Sequence, residues 1–141
     1  MPDLLTIDSS VFIAALNPLD TFTEHSRQLF AKAAASEWEI ILPTIVVCEV
    51  ANVLIRQDRE MRVFDIISYL EPFAWIDLDM DEVLSSVKIF SRFQLKTSDA
   101  IVATIALRYR STLLTWDEQL LKESAKHMPA YTPSDFLARR D

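Results

Sequence analysis

Asp8, Glu49, Asp99 and Asp117 each lie inside or at the end of an otherwise apolar segment. Asp8 closes Leu4-Leu5-Thr6-Ile7, and Glu49 interrupts Ile45-Val46-Val47-Cys48 and Val50-Ala51. An ionised carboxylate buried without a partner costs several kcal/mol, so it protonates, finds a cation or binds a metal. No basic partner at helical spacing is expected beside any of the four, which leaves a metal as the natural counter-charge. Hard divalent cations such as Mg²⁺ and Mn²⁺ prefer oxygen ligands, and Mg²⁺ keeps several waters while taking a few carboxylates and substrate phosphate oxygens. Such an ion activates water and stabilises the leaving oxygen of a phosphodiester. Clustered acids with no essential His or Cys therefore point to metal-dependent phosphoryl chemistry.

Other reactive groups are scarce. The one cysteine, Cys48, excludes an intrachain disulfide and fits a reducing compartment; its expected role is core packing. His25 and His127 have no metal-ligand spacing to each other or to the cysteine, so a zinc site is not expected. The chain has no glycine at all, where average usage predicts about ten. A phosphate-cradling P-loop and a dinucleotide-binding G-x-G-x-x-G turn are thereby excluded in their usual form.

The elements that must position the four acids follow from periodicity. With 141 residues, half of them apolar, the chain is read as a single domain over 1–141. The N-terminus lacks a signal pattern, and uncharged stretches such as Ile40 to Cys48 are far short of a membrane span, so a soluble cytoplasmic protein is expected. Leu4–Ile7, Ile40–Leu42, Phe73–Leu78 and Thr112–Thr115 read as short buried strands, with another near Tyr131. Helical patterns lie between them. Thr21-x-x-Glu24 opens a helix to about Ala35, Thr44 opens Ile45 to Arg56, Asp79-x-x-Glu82 caps Val83 to Phe93, and Thr97 or Ser98 caps Ala100 to Tyr109. Strands alternating with helices imply a layered α/β domain with a mainly parallel sheet.

In such sheets ligands bind beyond the carboxyl ends of the strands, where crossovers diverge. Asp8 follows the first strand and Asp117 lies two residues after Thr115, so both fall on one rim. Glu49 and Asp99 sit near the starts of helices that can lean over it. Plainer roles exist for each acid taken alone. Asp8 and Asp117 are good helix caps, and Asp99 suits the positive end of a helix dipole. Glu49 has the poorest such excuse, because Arg56 is two turns away, about 10 Å along the helix axis.

The motifs resemble those of PIN-domain ribonucleases. The correspondence runs through Leu5-Thr6-Ile7-Asp8-Ser9-Ser10-Val11-Phe12-Ile13, the helix bearing Glu49 after Pro43-Thr44, Thr97-Ser98-Asp99-Ala100-Ile101-Val102-Ala103, and Leu113-Leu114-Thr115-Trp116-Asp117. Order and approximate spacing match across essentially the whole chain, and small members of this length are typically VapC-like toxins of toxin-antitoxin pairs. The resemblance implies a three-layer α/β/α fold around a central, mainly parallel sheet of four to five strands. It implies a Mg²⁺ or Mn²⁺ site built from Asp8, Glu49, Asp99 and Asp117, endonucleolytic cleavage of RNA by a metal-activated water, and Ser10 and Thr115 holding the acids in place. It also implies a homodimer and a protein antitoxin. Two departures stand out: Trp116 replaces a small polar residue before the last acid, with substrate access in question, and Gln119 replaces a further acid, with a metal position in question.

A net charge of −7 is the opposite of the basic footprint of a nucleic-acid binder. Local basic rows offset it. Arg56, Arg59 and Arg62 follow the Glu49 helix, and Lys88, Arg92 and Lys96 recur at fours towards Asp99; either row is a candidate for RNA phosphates, and either also fits an ordinary solvated helix face. An acidic chain also suits a partner with basic segments. Phe22, Phe30, Trp38, Phe64, Tyr69, Phe73 and Trp75 are expected mostly in the core. Two other functions remain open at this level: a catalytically silent PIN-like scaffold binding RNA or protein, and a phospho-accepting receiver domain.

Overall fold

The computed structural model describes residues 3–36, 38–58, 60 and 62–140. Strand β1 (Leu4–Ile7) leads into α1 (Ser9–Leu16) and α2 (Thr23–Ser36); β2 (Glu39–Pro43) leads into α3 (Thr44–Gln57) and α4 (Val63–Leu70). Then come β3 (Ala74–Ile76), α5 (Met80–Ile89), a single 3-10 turn (Phe90–Arg92), α6 (Thr97–Arg108), β4 (Thr112–Leu114), α7 (Glu118–Ala125), β5 (Ala130–Tyr131) and α8 (Pro133–Arg140). The five strands form one wholly parallel sheet in the order β3-β2-β1-β4-β5.

This is a three-layer α/β/α sandwich. Helices α1 to α4 and α8 pack on one another, and α5, α6 and α7 form a second packed group. Right-handed crossovers put these groups on opposite faces, because the chain first moves outward from β1 to β3 and then crosses back to β4. Alternation along β2 serves both layers: Ile40 and Leu42 join the main core, while Ile41 packs with Ile101 and Ile105 of α6. Helix α6 is covered almost all round, with every residue from Asp99 to Ala106 buried. Among the described residues no helix is long and apolar enough to cross a membrane.

Several boundaries differ from the sequence reading. Helix α2 starts at Thr23, and Asp20 rather than Thr21 serves its entry by accepting the Phe22 N–H at 2.8 Å. Helix α6 starts at Thr97 with Lys96 as its cap residue and no side-chain capping bond, so Asp99 is its third residue. The sequence reading has no helix at α4 or α8, each eight residues long. The Asp79 cap is as expected, its carboxylate accepting the Glu82 N–H at 2.8 Å. Phe22, Phe64 and Trp75 are solvent-exposed rather than core.

Candidate metal centre

The strand order reverses direction at β1, so the crevice between the ends of β1 and β4 is the switch point of the sheet. Asp8 and Asp117 flank it. The register Ile7 opposite Leu114 continues into an Asp8 N–H bond to the Leu114 carbonyl at 3.0 Å, which fixes where both chains leave the sheet.

Asp8 is almost fully buried and held through one oxygen only. Ser10 Oγ donates to Asp8 Oδ2 at 2.8 Å and Thr115 Oγ1 donates to the same atom at 2.9 Å, with the Ser10 N–H at 3.4 Å. Each hydroxyl is itself fed by a backbone donor: Trp116 N–H to Ser10 Oγ at 3.0 Å, and Asp117 N–H to Thr115 Oγ1 at 3.0 Å. A hydroxyl has one proton. With both protons committed to Asp8, the 3.3 Å separation of Ser10 Oγ and Thr115 Oγ1 is a contact within a polarised network, each N–H strengthening the hydroxyl that serves the carboxylate. Asp8 Oδ1 has no hydrogen bond among the described residues.

The other three acids surround this anchor. Asp117 caps α7, accepting the Leu120 N–H at 2.9 Å, and is half-buried. Asp99 is 8% exposed, and burial, followed by repulsion from Asp8 and Asp117, raises its pKa to about 6 against the attraction of Lys96. Glu49, in the second turn of α3, is raised by burial and by the charges of Asp8 and Asp99, opposed by the Ser98 hydroxyl and Lys96. Its Oε1 is buried with no hydrogen-bond partner. Asp99 thus feels the charges of Asp8 and Asp117, and Glu49 those of Asp8 and Asp99.

The donor set fits a hard cation. All four groups are carboxylates, two have pKa values raised by burial and mutual repulsion, and one buried oxygen lacks any donor; a divalent ion relieves each of these. Asp8, Glu49, Asp99 and Asp117 are the residues that would hold it. Among the described residues, no group of three or more His, Cys, Asp or Glu side chains is placed to hold a metal ion as the chain stands; Mg²⁺ retains several waters and takes only a few carboxylates.

The family model for the PIN domain matches residues 5–126. The chain belongs to the PIN domain family. It is also similar to the solved toxin-antitoxin complex from Klebsiella pneumoniae, at 21% identity and a TM-score of 0.69, covering 92% of this chain and 97% of that one. VapC20 of Mycobacterium tuberculosis, described as a sarcin-ricin loop cleaving toxin, aligns at 15% identity with a TM-score of 0.70, over 88% of this chain and 95% of that one. VapBC2 of Rickettsia felis, solved with a DNA fragment from its promoter, aligns at 15% identity with a TM-score of 0.65, over 92% and 98%. No curated protein matches this chain. The receiver-domain alternative does not survive, since that doubly wound fold orders its strands 2-1-3-4-5.

Details of this PIN domain correct the sequence reading. Lys96 stands three residues before Asp99 with its Nζ 3.8 Å from Asp99 Oδ2, so one acid does have a basic neighbour at helical spacing. Cys48 is exposed on α3, not packed in the core. Trp116 faces α2: its indole N–H donates to Ser26 Oγ at 2.8 Å and its ring stacks on Phe22 at 4.1 Å. Gln119 donates to the Gln94 carbonyl at 3.1 Å, tying α7 to the segment before α6. Of the two basic rows, Lys88, Arg92 and Lys96 are exposed and only Lys96 reaches an acid of the quartet. Arg56 ends α3 and Arg62 precedes α4, both exposed and at the end of α3 remote from Glu49; Arg59 lies outside the described residues. As a site residue the sequence reading missed Ser98, whose hydroxyl partly offsets the rise in the Glu49 pKa. Its position directly beside Asp99 was the available signal.

Proposed function

We propose that this PIN domain is a metal-dependent endoribonuclease, the toxin of a toxin-antitoxin pair, with Asp8, Glu49, Asp99 and Asp117 as its Mg²⁺ or Mn²⁺ ligands. The observation that carries the reading is the electrostatic incompleteness of the rim: four acids, a buried unpartnered Glu49 Oε1, and an Asp99 pKa of about 6. A divalent ion bound there supplies an activated water and charge stabilisation for the leaving oxygen of an RNA phosphodiester. The chain's own residues do the rest. Ser10 and Thr115 fix Asp8 and leave its Oδ1 for the ion. Lys96, largely solvent-exposed, offers a cation to a phosphate arriving beside Asp99. Similarity to toxin-antitoxin complexes supports a protein antitoxin, and the net charge of −7 favours basic segments on it.

One observation favours a second reading. The lack, among the described residues, of any group of three or more His, Cys, Asp or Glu placed to hold a metal ion suits a catalytically silent scaffold that binds RNA or protein. Cleavage of structured RNA in Mg²⁺ and Mn²⁺ separates the two, run beside Asp8→Asn and Asp99→Asn. Loss of cleavage in both variants, with Mn²⁺ affinity reduced in each, is the expected result. Wild-type cleavage by both variants would sink the mechanism, and a wild-type protein that neither binds Mn²⁺ nor cuts RNA would establish the scaffold.

A further inference from the structure

Trp116 stands one residue before Asp117, and its backbone belongs to the acid rim: the N–H donates at 3.0 Å to the Ser10 hydroxyl that holds Asp8. Its side chain leaves the rim towards α2, where the indole N–H donates to the fully buried Ser26 hydroxyl at 2.8 Å and fixes the plane of the ring. Phe22 lies flat on that ring, with centroids 4.1 Å apart and planes 8° from parallel. The loop before α2 holds Phe22 in turn, because the Asp20 carboxylate accepts its N–H at 2.8 Å. His25, one turn further on, stands edge-on to the indole at 6.3 Å. Phe22 is nevertheless 41% exposed. One face of the phenyl ring is spent on Trp116, so its exposure lies on the opposite face and the edge. A preordered aromatic column thus starts beside an acid of the rim and ends on an open π face.

We propose that this column is a base-binding subsite: one nucleobase of a single-stranded RNA, close to the phosphate at the acid rim, stacks on the open face of Phe22. The inference rests on the ribonuclease reading for the nature of the strand, and adds to it a contact that the acids cannot make. Position supports it, since Trp116 is joined to Asp117 by one peptide bond and the column runs outward from there. The two flanks of the rim also differ in kind. Lys96 reaches Asp99 from α6, whereas the rings face α2, in the helix layer on the other side of the sheet. A strand crossing the rim therefore meets a cation on one flank and a flat aromatic surface on the other. Charge gives the stack its purpose. A chain of net charge −7 attracts phosphates poorly, and stacking supplies affinity without any charge. Every base has a π face, so the subsite tolerates any sequence, and it requires an unpaired base because a duplex already spends both faces.

The test uses single-stranded oligouridylates carrying one 2-aminopurine, moved position by position along the strand; its fluorescence falls when the base stacks. In Ca²⁺, binding to the full chain is expected to quench the probe at one position. Phe22→Leu keeps an apolar cover on Trp116 but has no π face, and is expected to abolish that quenching, while Phe22→Tyr retains it. In Mg²⁺, Phe22→Leu is expected to raise KM for cleavage about tenfold with kcat little changed, because the base is held equally before and during the reaction. The ratio should persist as salt rises, since stacking releases no counterions. An abasic nucleotide at the quenched position should cost wild type the same factor and cost Phe22→Leu nothing further. That strand leaves the protein untouched, so this arm stands whatever Phe22→Leu does to the fold. No position-specific quenching, an unchanged KM in Phe22→Leu, or additive losses from the leucine and the abasic nucleotide would overturn the subsite and leave the rings to packing or to a protein partner. Quenching that depends on Phe22 in a strand that is bound but never cut counts against the nuclease reading alone. A wild type that neither binds nor cuts the strand overturns both.

Discussion

Removing the charge of Asp99 is expected to make the metal-free protein more stable. Its folded pKa is about 6, against an ordinary 3.8, first because of burial and then because Asp8 and Asp117 repel it. A raised folded pKa means that the folded chain holds the proton more tightly than the unfolded one. The associated stability is fully present below pH 3.8 and is lost as pH rises through 6. The gap of about 2.2 between the two values, at about 1.4 kcal/mol for each step of one, places the ionised carboxylate about 3 kcal/mol against folding at neutral pH. The Asp99→Asn side chain keeps the shape, carries no charge and gives up the Lys96 contact, so recovery of about half that amount is expected. This corresponds to about 5 °C in Tm for a chain of this size. Thermal unfolding of wild type and Asp99→Asn in EDTA, at pH 7.5 and at pH 4, measures the difference. The gain should appear at pH 7.5 and shrink at pH 4. Adding Mg²⁺ at pH 7.5 should raise wild type more than the variant, because only the intact acids gain from the ion. A lower Tm for Asp99→Asn at pH 7.5, or an equal difference at both pH values, would refute the claim that the acids strain this rim.

Two other substitutions follow from the same geometry. Thr115→Val removes a donor to Asp8 and the acceptor of the Asp117 N–H; a loss of about 1–3 kcal/mol in urea unfolding is expected, with weaker Mn²⁺ binding in titration, and Thr115→Ser is expected to retain both. Wild-type behaviour of the valine variant would remove Thr115 from the network. Arg110 has φ of 52°, directly after α6 in a chain without glycine, and Arg110→Gly is expected to stabilise by about 0.5–1 kcal/mol in the same assay, net of the added freedom of the unfolded chain. A loss of stability there would mean that the arginine side chain outweighs its backbone conformation.

The parallel sheet and its rim are legible in the sequence because β1 and β4 are short, continuous apolar runs, each followed within a few residues by an acid. Asp79 and Asp117 are legible as caps, since their chemistry is local. Helices α4 and α8 are not, each being only two turns long, and α4 leaves apolar Val63 and Phe64 exposed. The start of α6 is hard to place because no side chain caps it, and the proximity of Lys96 to Asp99 is hidden with it. Trp116 reads as a departure at the rim, yet its role is set by Ser26 and Phe22, ninety or more residues away in sequence, which no local pattern reveals.

The one-sided hold on Asp8 bears on which ions the site can accept. Two hydroxyls order its side chain during folding, so its rotational freedom is already lost when an ion arrives, and no ordering cost falls on binding. Glu49 differs in having a longer arm with one more rotatable bond, and its Oε1 is buried without a hydrogen-bond partner. The rim thus pairs a fixed corner with an adjustable one. If these acids hold the ion, a small one with strict octahedral demands and a larger, more tolerant one would meet the same Asp8 oxygen, and the difference in their radii would be absorbed at Glu49. Discrimination between ions is therefore expected to reside in the glutamate arm rather than in the aspartate that the strand presents.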